Sequence, residues 1–236
     1  MIAMEDVFRK LERIKLTEIS IGGFTFELSN TLLCVWLAAA LLIFTSLLLA
    51  RKLNQRPGKA QVVLEMLVEF IRNMCRDFIG DHHYQKYVPY AGTLFLFLCA
   101  ANILAVLNFV PGLRIYPPTK DINVTLPLSL MTILIVLYSS FHYKGPAGTA
   151  KDLLKPIPMM LPFNLMEYVT KPLSLCLRLF GNVVAAFVIM ELIFHTMGII
   201  AAPFSAYFDF FDGILQAYIF VFLTCLYIGE AVETEA

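Results

Sequence analysis

Charged residues fall in blocks along this chain, separated by long uncharged stretches. From Leu28 to Ala50 no residue is charged, and the stretch ends at Arg51 and Lys52, with Arg56 and Lys59 close behind. A bilayer core takes about 20 apolar residues of helix, so residues 28–50 are predicted as a first transmembrane span with a basic exit. Residues 61–79 follow another rule. Glu65, Glu69, Arg72 and Arg76 recur at helical spacing, with Val63, Leu67, Phe70, Met74 and Phe78 on a different face. Such a helix lies along the membrane surface rather than across it. A second span is expected over 87–113, closed by Pro111 and Gly112, and a third over 122–143. The remainder is apolar but carries scattered ionisable groups. It divides into a long helix over 156–202, expected to break near Pro172, and a last helix over 204–229 after the turn at Ala202 and Pro203. Residues 1–27 read as an N-terminal tail, and 28–236 as a single membrane domain.

Composition sharpens this picture. The 236 residues are 59% hydrophobic and 15% charged, against about 45–50% and about 25% in soluble domains. The class expected is all-α, with about five transmembrane helices and one amphipathic interfacial helix, seated in a lipid bilayer. Basic and acidic residues number 18 each, so no charge excess points to nucleic acid. Cys34, Cys75, Cys99, Cys176 and Cys225 are widely spaced and read as free thiols, not as a disulfide framework or a zinc site. The N-terminus mixes Glu5, Asp6, Glu12 and Glu18 among its basic residues and lacks an apolar core, so a cleaved signal peptide is not expected. No internal repeat supports an inverted-repeat transporter plan.

Four basic residues follow the first span and three lie between the third and fourth, against two in the RIYPPTKD segment. The positive-inside rule therefore places the first two of these loops in the cytoplasm, the N-terminus outside and the C-terminus inside.

Ionisable residues in membrane helices are functional candidates by default. Arg178 sits in SLCLRLFGN, with Ser174 and Asn182 one turn to either side. Arginine cannot shed its proton to escape an apolar medium, so a permanent charge is wanted there. The plainer alternative is a structural ion pair with Glu167, eleven residues earlier. Glu191 and His195 are one turn apart and can share or relay a proton; the plainer reading is a neutral acid hydrogen-bonded to the imidazole. Asp209, Asp212 and Gln216 form a polar stripe entering the last helix, where either aspartate can instead act as an N-cap. Asp121, Asn123 and Thr125 open the third span, as a helix cap or as the mouth of a wet cavity. Phosphate-loop, zinc-protease and serine-hydrolase motifs are all lacking, so no catalytic, cofactor-binding or metal-ligating set is expected.

Three segments, PTKDINVTLPL at 118–128, KPLSLCLRLFGN at 171–182 and LQAYIFVFLTCLYIGEA at 215–231, resemble in order the subunit a family of F-type ATP synthases. The resemblance spans roughly residues 30–231 and is of the bacterial type. It implies a stator subunit whose last two long helices tilt against a rotating ring of subunit c. The chain would offer two offset half-channels for protons or sodium ions. Arg178 would match the family's essential arginine, and Gln216 its last-helix glutamine. Further partners implied are subunit b of the peripheral stalk and the remaining complex, in a bacterial inner membrane. Gly181, Ala185 and Ala186 would supply small surfaces for close helix approach. Two positions depart from the bacterial pattern: Phe187 stands where Glu or His is common, and Asp209 where His is common. A stand-alone transporter or channel is the rival reading, and it predicts ion flux from this chain alone.

Overall fold

A computed structural model of the chain describes residues 15–21, 24–51, 58–106, 118–154, 159, 161–197 and 202–232. The first elements are two antiparallel strands, β1 (Lys15–Ile21) and β2 (Phe24–Ser29), with Ile19 opposite Phe26 and Ile21 opposite Phe24. This hairpin falls in the stretch expected to be a plain tail, and it takes Leu28 and Ser29 out of the predicted first span. Every other described element is helical: α1 (Asn30–Ala50), α2 (Lys59–Ile79), α3 (Tyr84–Val106), a short 3-10 turn at Pro118–Lys120, α4 (Ile122–Leu154), α5 (Leu161–Met197) and α6 (Ala202–Val232). Among the described residues, three helices are long and apolar enough to cross a bilayer, at Thr31–Leu48, Ile122–Pro146 and Phe210–Val232.

Proline and glycine act differently from the sequence expectation in the second half of the chain. The third span was expected to give way to a loop after residue 143. Instead, helix resumes after a single break at Gly145, whose φ of 71° lies in the left-handed region that favours glycine. Pro146 then opens the next helical turn, where its missing N–H costs nothing. Thr149 closes that turn by donating its hydroxyl hydrogen to the Gly145 carbonyl at 3.0 Å. The break expected near Pro172 is absent, because α5 runs through it. Pro172 is buried, and Leu175, Cys176 and Leu179 pack just beyond it, so tertiary contacts hold the helix across the lost hydrogen bond.

The chain forms two compact units. The first comprises Met1–Leu48, Leu96–Val124 and Phe180–Ala217. Within it, α1 is apolar on all sides, with Trp36, Ile43, Phe44 and Leu47 more than half exposed, a surface suited to lipid.

The second unit comprises Leu49–Phe95, Thr125–Leu179 and Tyr218–Ala236. Its helix α2 is amphipathic, as the charge spacing predicts, but the buried stripe is Ile71, Met74, Cys75 and Ile79. Val63 and Phe70, on the apolar face expected of a surface-lying helix, are exposed. At the end of α2, Gly80 (φ 89°) donates its N–H to the Arg76 carbonyl at 3.0 Å. Arg76 also pairs with Asp81 and holds that carboxyl below the usual carboxylate range. Tyr87 donates to Ser139 at 2.6 Å, and the Tyr90 and Thr132 hydroxyls lie 3.2 Å apart, joining α3 to α4.

Helix α6 approaches α2 most closely at Gly229, where a β-carbon would collide with the Phe78 carbonyl oxygen. Gly229→Ala should therefore destabilise the chain by about 1–3 kcal/mol through overpacking. The thermal midpoint of the detergent-solubilised chain is expected to fall. Gly58→Ala, at the N-cap of α2 with open space around it, should lower the midpoint less, through the weaker cap alone. Equal midpoints for both variants would contradict this packing.

Candidate functional site

In the first unit, buried polar groups gather where α3, α5 and α6 present their side chains. Gln216 of α6 is fully buried, and its Oε1 accepts a hydrogen bond from Asn182 Nδ2 of α5 at 2.8 Å. Its Nε2 is buried with no hydrogen-bond partner among the described residues. Asn102 of α3 donates through Nδ2 to the Gly213 carbonyl at 3.0 Å, and its Oδ1 accepts from the Thr119 hydroxyl at 2.8 Å. Both Asn102 and Thr119 are buried. Gly213 makes room for this arrangement, since a β-carbon there would lie 2.7 Å from Asn102 Cβ. Asp121 is the N-cap of α4: its Oδ1 accepts the Asn123 N–H at 3.0 Å. Asn123 itself is exposed.

Arg178 lies in the second unit, on the exposed side of α5. Ser174, Gly181, Asn182 and Ala185 are exposed along the same helix, at spacings of three and four residues that put them on one stripe with it. Arg178 has no hydrogen bond or ion pair to any described residue. The structural pair with Glu167 is not formed. Glu167 instead binds Lys171, one turn away on α5, at 3.2 Å. Lys171 Nζ also reaches Glu230 Oε2 of α6 at 2.7 Å and sits 5.2 Å from the centre of the Tyr227 ring. Lys144 of α4 donates to the Glu230 carbonyl at 3.2 Å. An open pocket of about 80 Å³ sits at this cluster, lined by Ser140, Glu167, Tyr168, Lys171, Tyr227 and Glu230. That is room for about two or three waters. Thr125, expected beside Asp121 at the opening of the third span, is buried in this unit, 3.5 Å from Cys176 Sγ.

Other predicted residues fall outside these clusters. Glu191 and His195 are on α5 and Asp209 is on α6, but their side chains lie outside the described residues. Because α6 begins at Ala202, Asp209 and Asp212 sit well inside the helix, and the N-cap reading of them is corrected. Among the described residues no group of three or more His, Cys, Asp or Glu side chains is placed to hold a metal.

Asn102, Thr119, Lys171 and Glu230 did not stand out as site residues in the sequence. Asn102 gave a usable signal, being an amide within the uncharged run from Tyr87 to Leu113. Glu230 gave none, because it follows the residue at which the last helix was expected to end.

Long apolar helices, a charged side chain on a helix face and clusters of polar groups within the bundle define a helical membrane protein of ion transport. The family model described as the ATP synthase A chain matches residues 32–229, and the chain belongs to that family, subunit a of the F-type ATP synthase.

Asn102 accepts the hydroxyl hydrogen of buried Thr119 and adds a second hydrogen bond to the Gly213 carbonyl, which the α6 backbone already engages. Asn102→Leu should cost about 1–3 kcal/mol, because the buried Thr119 hydroxyl is left unpaired. Thr119→Val should cost less on top of Asn102→Leu than alone, since one hydrogen bond is shared. Thermal midpoints of the single and double variants measure this. Strict additivity would show that the shared bond does not form.

Proposed function

We propose that this chain is the non-catalytic, ion-translocating stator of a rotary ATP synthase, and that Arg178 is the charge that empties the ion site on a rotating subunit c ring. The observation that carries this reading is the contrast within α5. Lys171 is answered by two carboxylates, whereas Arg178 is exposed and unanswered among the described residues. Placing a charged residue at the centre of a membrane helix costs about 2.5–3.5 kcal/mol on insertion scales, so its counter-charge belongs to a partner. Exposed Gly181 and Ala185 beside it leave a low surface on which a second helix can pack closely. A ring carboxylate about 4 Å away would gain about 4 kcal/mol at an effective dielectric near 20, or about three pKa units. That is enough to expel a proton or a sodium ion. A fixed cation at this point also blocks a straight leak, so ions travel with the ring.

The two polar clusters are suited to the two half-channels. In the first unit, Asp121 and Asn123 stand at the mouth, Asn102, Thr119, Asn182 and Gln216 give a hydrogen-bonding interior, and Glu191, His195 and Asp209 supply titratable groups. With Phe187 unable to carry a proton, Glu191 one turn further on α5 takes its place. In the second unit, the pocket around Lys171, Glu167 and Glu230 serves the opposite side, with Ser174 on the way to Arg178. The contact of Lys144 with Glu230 supports a reading in which the basic stretch of α4 and the end of α6 share one side of the membrane. Its lysines, Lys144 and Lys151, favour the cytoplasmic side, with the C-terminus inside and the N-terminus outside. The setting is a bacterial inner membrane, with subunit b as a second neighbour and no cofactor. A free-standing channel would leave the lone arginine without a purpose.

Arg178→Ala is expected to leave the complex assembled and to abolish ion-driven ATP synthesis in reconstituted vesicles. Arg178→Lys should fail or nearly so, because an ammonium can lose its proton and lacks the guanidinium fork. Substantial synthesis by either variant overturns the assignment.

Gln216→Leu removes a buried amide nitrogen that has no partner among the described residues, whose desolvation costs about 1–3 kcal/mol. The thermal midpoint should hold or rise while proton or sodium pumping falls. A fall in stability with normal pumping would make Gln216 a purely structural residue.

A further inference from the structure

The second unit contains a pair of thiols that the ion-handling role does not use. Cys75 of α2 and Cys225 of α6 are both fully buried, and their sulfurs lie 3.6 Å apart across 150 residues of sequence. The contact belongs to a regular seam. One turn along, the Phe78 and Phe222 rings meet edge to face with centroids 4.7 Å apart. On the other side of Cys225, one turn toward the C-terminal end of α6, Gly229 lets that helix close against the Phe78 carbonyl. The seam holds the two thiols opposite each other, and a disulfide bond of about 2.05 Å would need the sulfurs to close by only about 1.5 Å.

We infer that Cys75 and Cys225 are an oxidation site: a two-electron oxidant such as hydrogen peroxide converts them to an intrachain disulfide that clamps α2 to α6. In the first step one thiol loses its proton and the thiolate sulfur attacks peroxide; the O–O bond breaks, the departing hydroxide takes up that proton, and a sulfenic acid and one water result. The neighbouring sulfur then attacks the sulfenyl sulfur. The S–S bond forms, the S–O bond breaks, and a second water leaves. Two thiols and one peroxide thus give one disulfide and two waters, with both thiol protons carried off in water. The product ties a surface-lying helix to the helix that carries Gln216.

The test uses the complete complex in its native membrane, treated with hydrogen peroxide or, in parallel, with the membrane-permeant thiol oxidant diamide. The reaction is quenched, the chain is unfolded, free thiols are alkylated, and the peptides are mapped by mass spectrometry. The expected product links the Cys75 and Cys225 peptides with the loss of two hydrogens. Cys34, Cys99 and Cys176 are expected to remain alkylated. Dithiothreitol should restore both thiols, and Cys75→Ala should leave Cys225 alkylated after oxidation. Full alkylation of both cysteines under both oxidants overturns the inference. So does a link from either cysteine to a different partner, or conversion to sulfinic acid without a link.

Discussion

Lipid offers no hydrogen bonds and little screening, so a charge on a membrane helix must be answered by a partner held in place. On α5 this constraint has two outcomes, two helical turns apart. At Lys171 the answer is internal: Glu167 from the same helix, Glu230 from α6 and the face of Tyr227 surround the ammonium. These contacts fix the register of α5 against α6 within the second unit, next to Pro172, through which the helix continues. At Arg178 no described residue answers, and the side chain stays at the surface. A charge that the fold does not neutralise is available to another chain, and the ion-handling reading follows from that.

The same constraint governs the uncharged polar groups. Ser139 and Thr132 donate to carbonyls one turn back on α4, and their oxygens also meet Tyr87 and Tyr90 of α3. Asn102 does comparable work in the first unit, where it takes up the Gly213 carbonyl and the Thr119 hydroxyl together. Hydrogen bonds of this kind average about 0.6 kcal/mol in a membrane, so no single one holds the bundle. Their effect is positional. Each fixes the rotation of a helix that apolar contacts alone would leave free to turn. Gln216 stands apart, because its amide oxygen is satisfied by Asn182 and its amide nitrogen has no partner among the described residues. An unsatisfied buried amide is a stability cost, and such costs tend to be kept at functional positions.

Much of this was legible in the sequence, and some of it was not. The uncharged stretches located the helices, because a bilayer selects for length and apolarity, both of which are read by counting. The charge spacing of 61–79 marked an amphipathic helix, and the setting of Arg178 among apolar and small residues marked it as exceptional. Both judgements depend only on residues near one another in sequence. Three motifs in order were enough to point to the family that the match over residues 32–229 shows. The hairpin at 15–29 was overlooked although Phe24, Phe26 and Leu28 alternate with polar residues and Gly22-Gly23 precedes them, a pattern that itself signals strand and turn.

What only the tertiary structure decided were partnerships. Glu167 is one turn from Lys171 but about 16 Å along the helix from Arg178, too far to pair with it; Glu230, 59 residues from Lys171, completes that lysine's cluster, which no local spacing shows. On α2 the residues that the protein itself covers are Ile71, Met74, Cys75 and Ile79, because the helices packed against it set that face. The helix break falls at Gly145 and not at Pro172 for a similar reason. A proline break can be bridged by packing, whereas a left-handed backbone angle favours a residue without a β-carbon. Periodicity reports which residues a helix can present, but contacts between distant segments determine which of them meet, and those depend on the geometry of the folded chain.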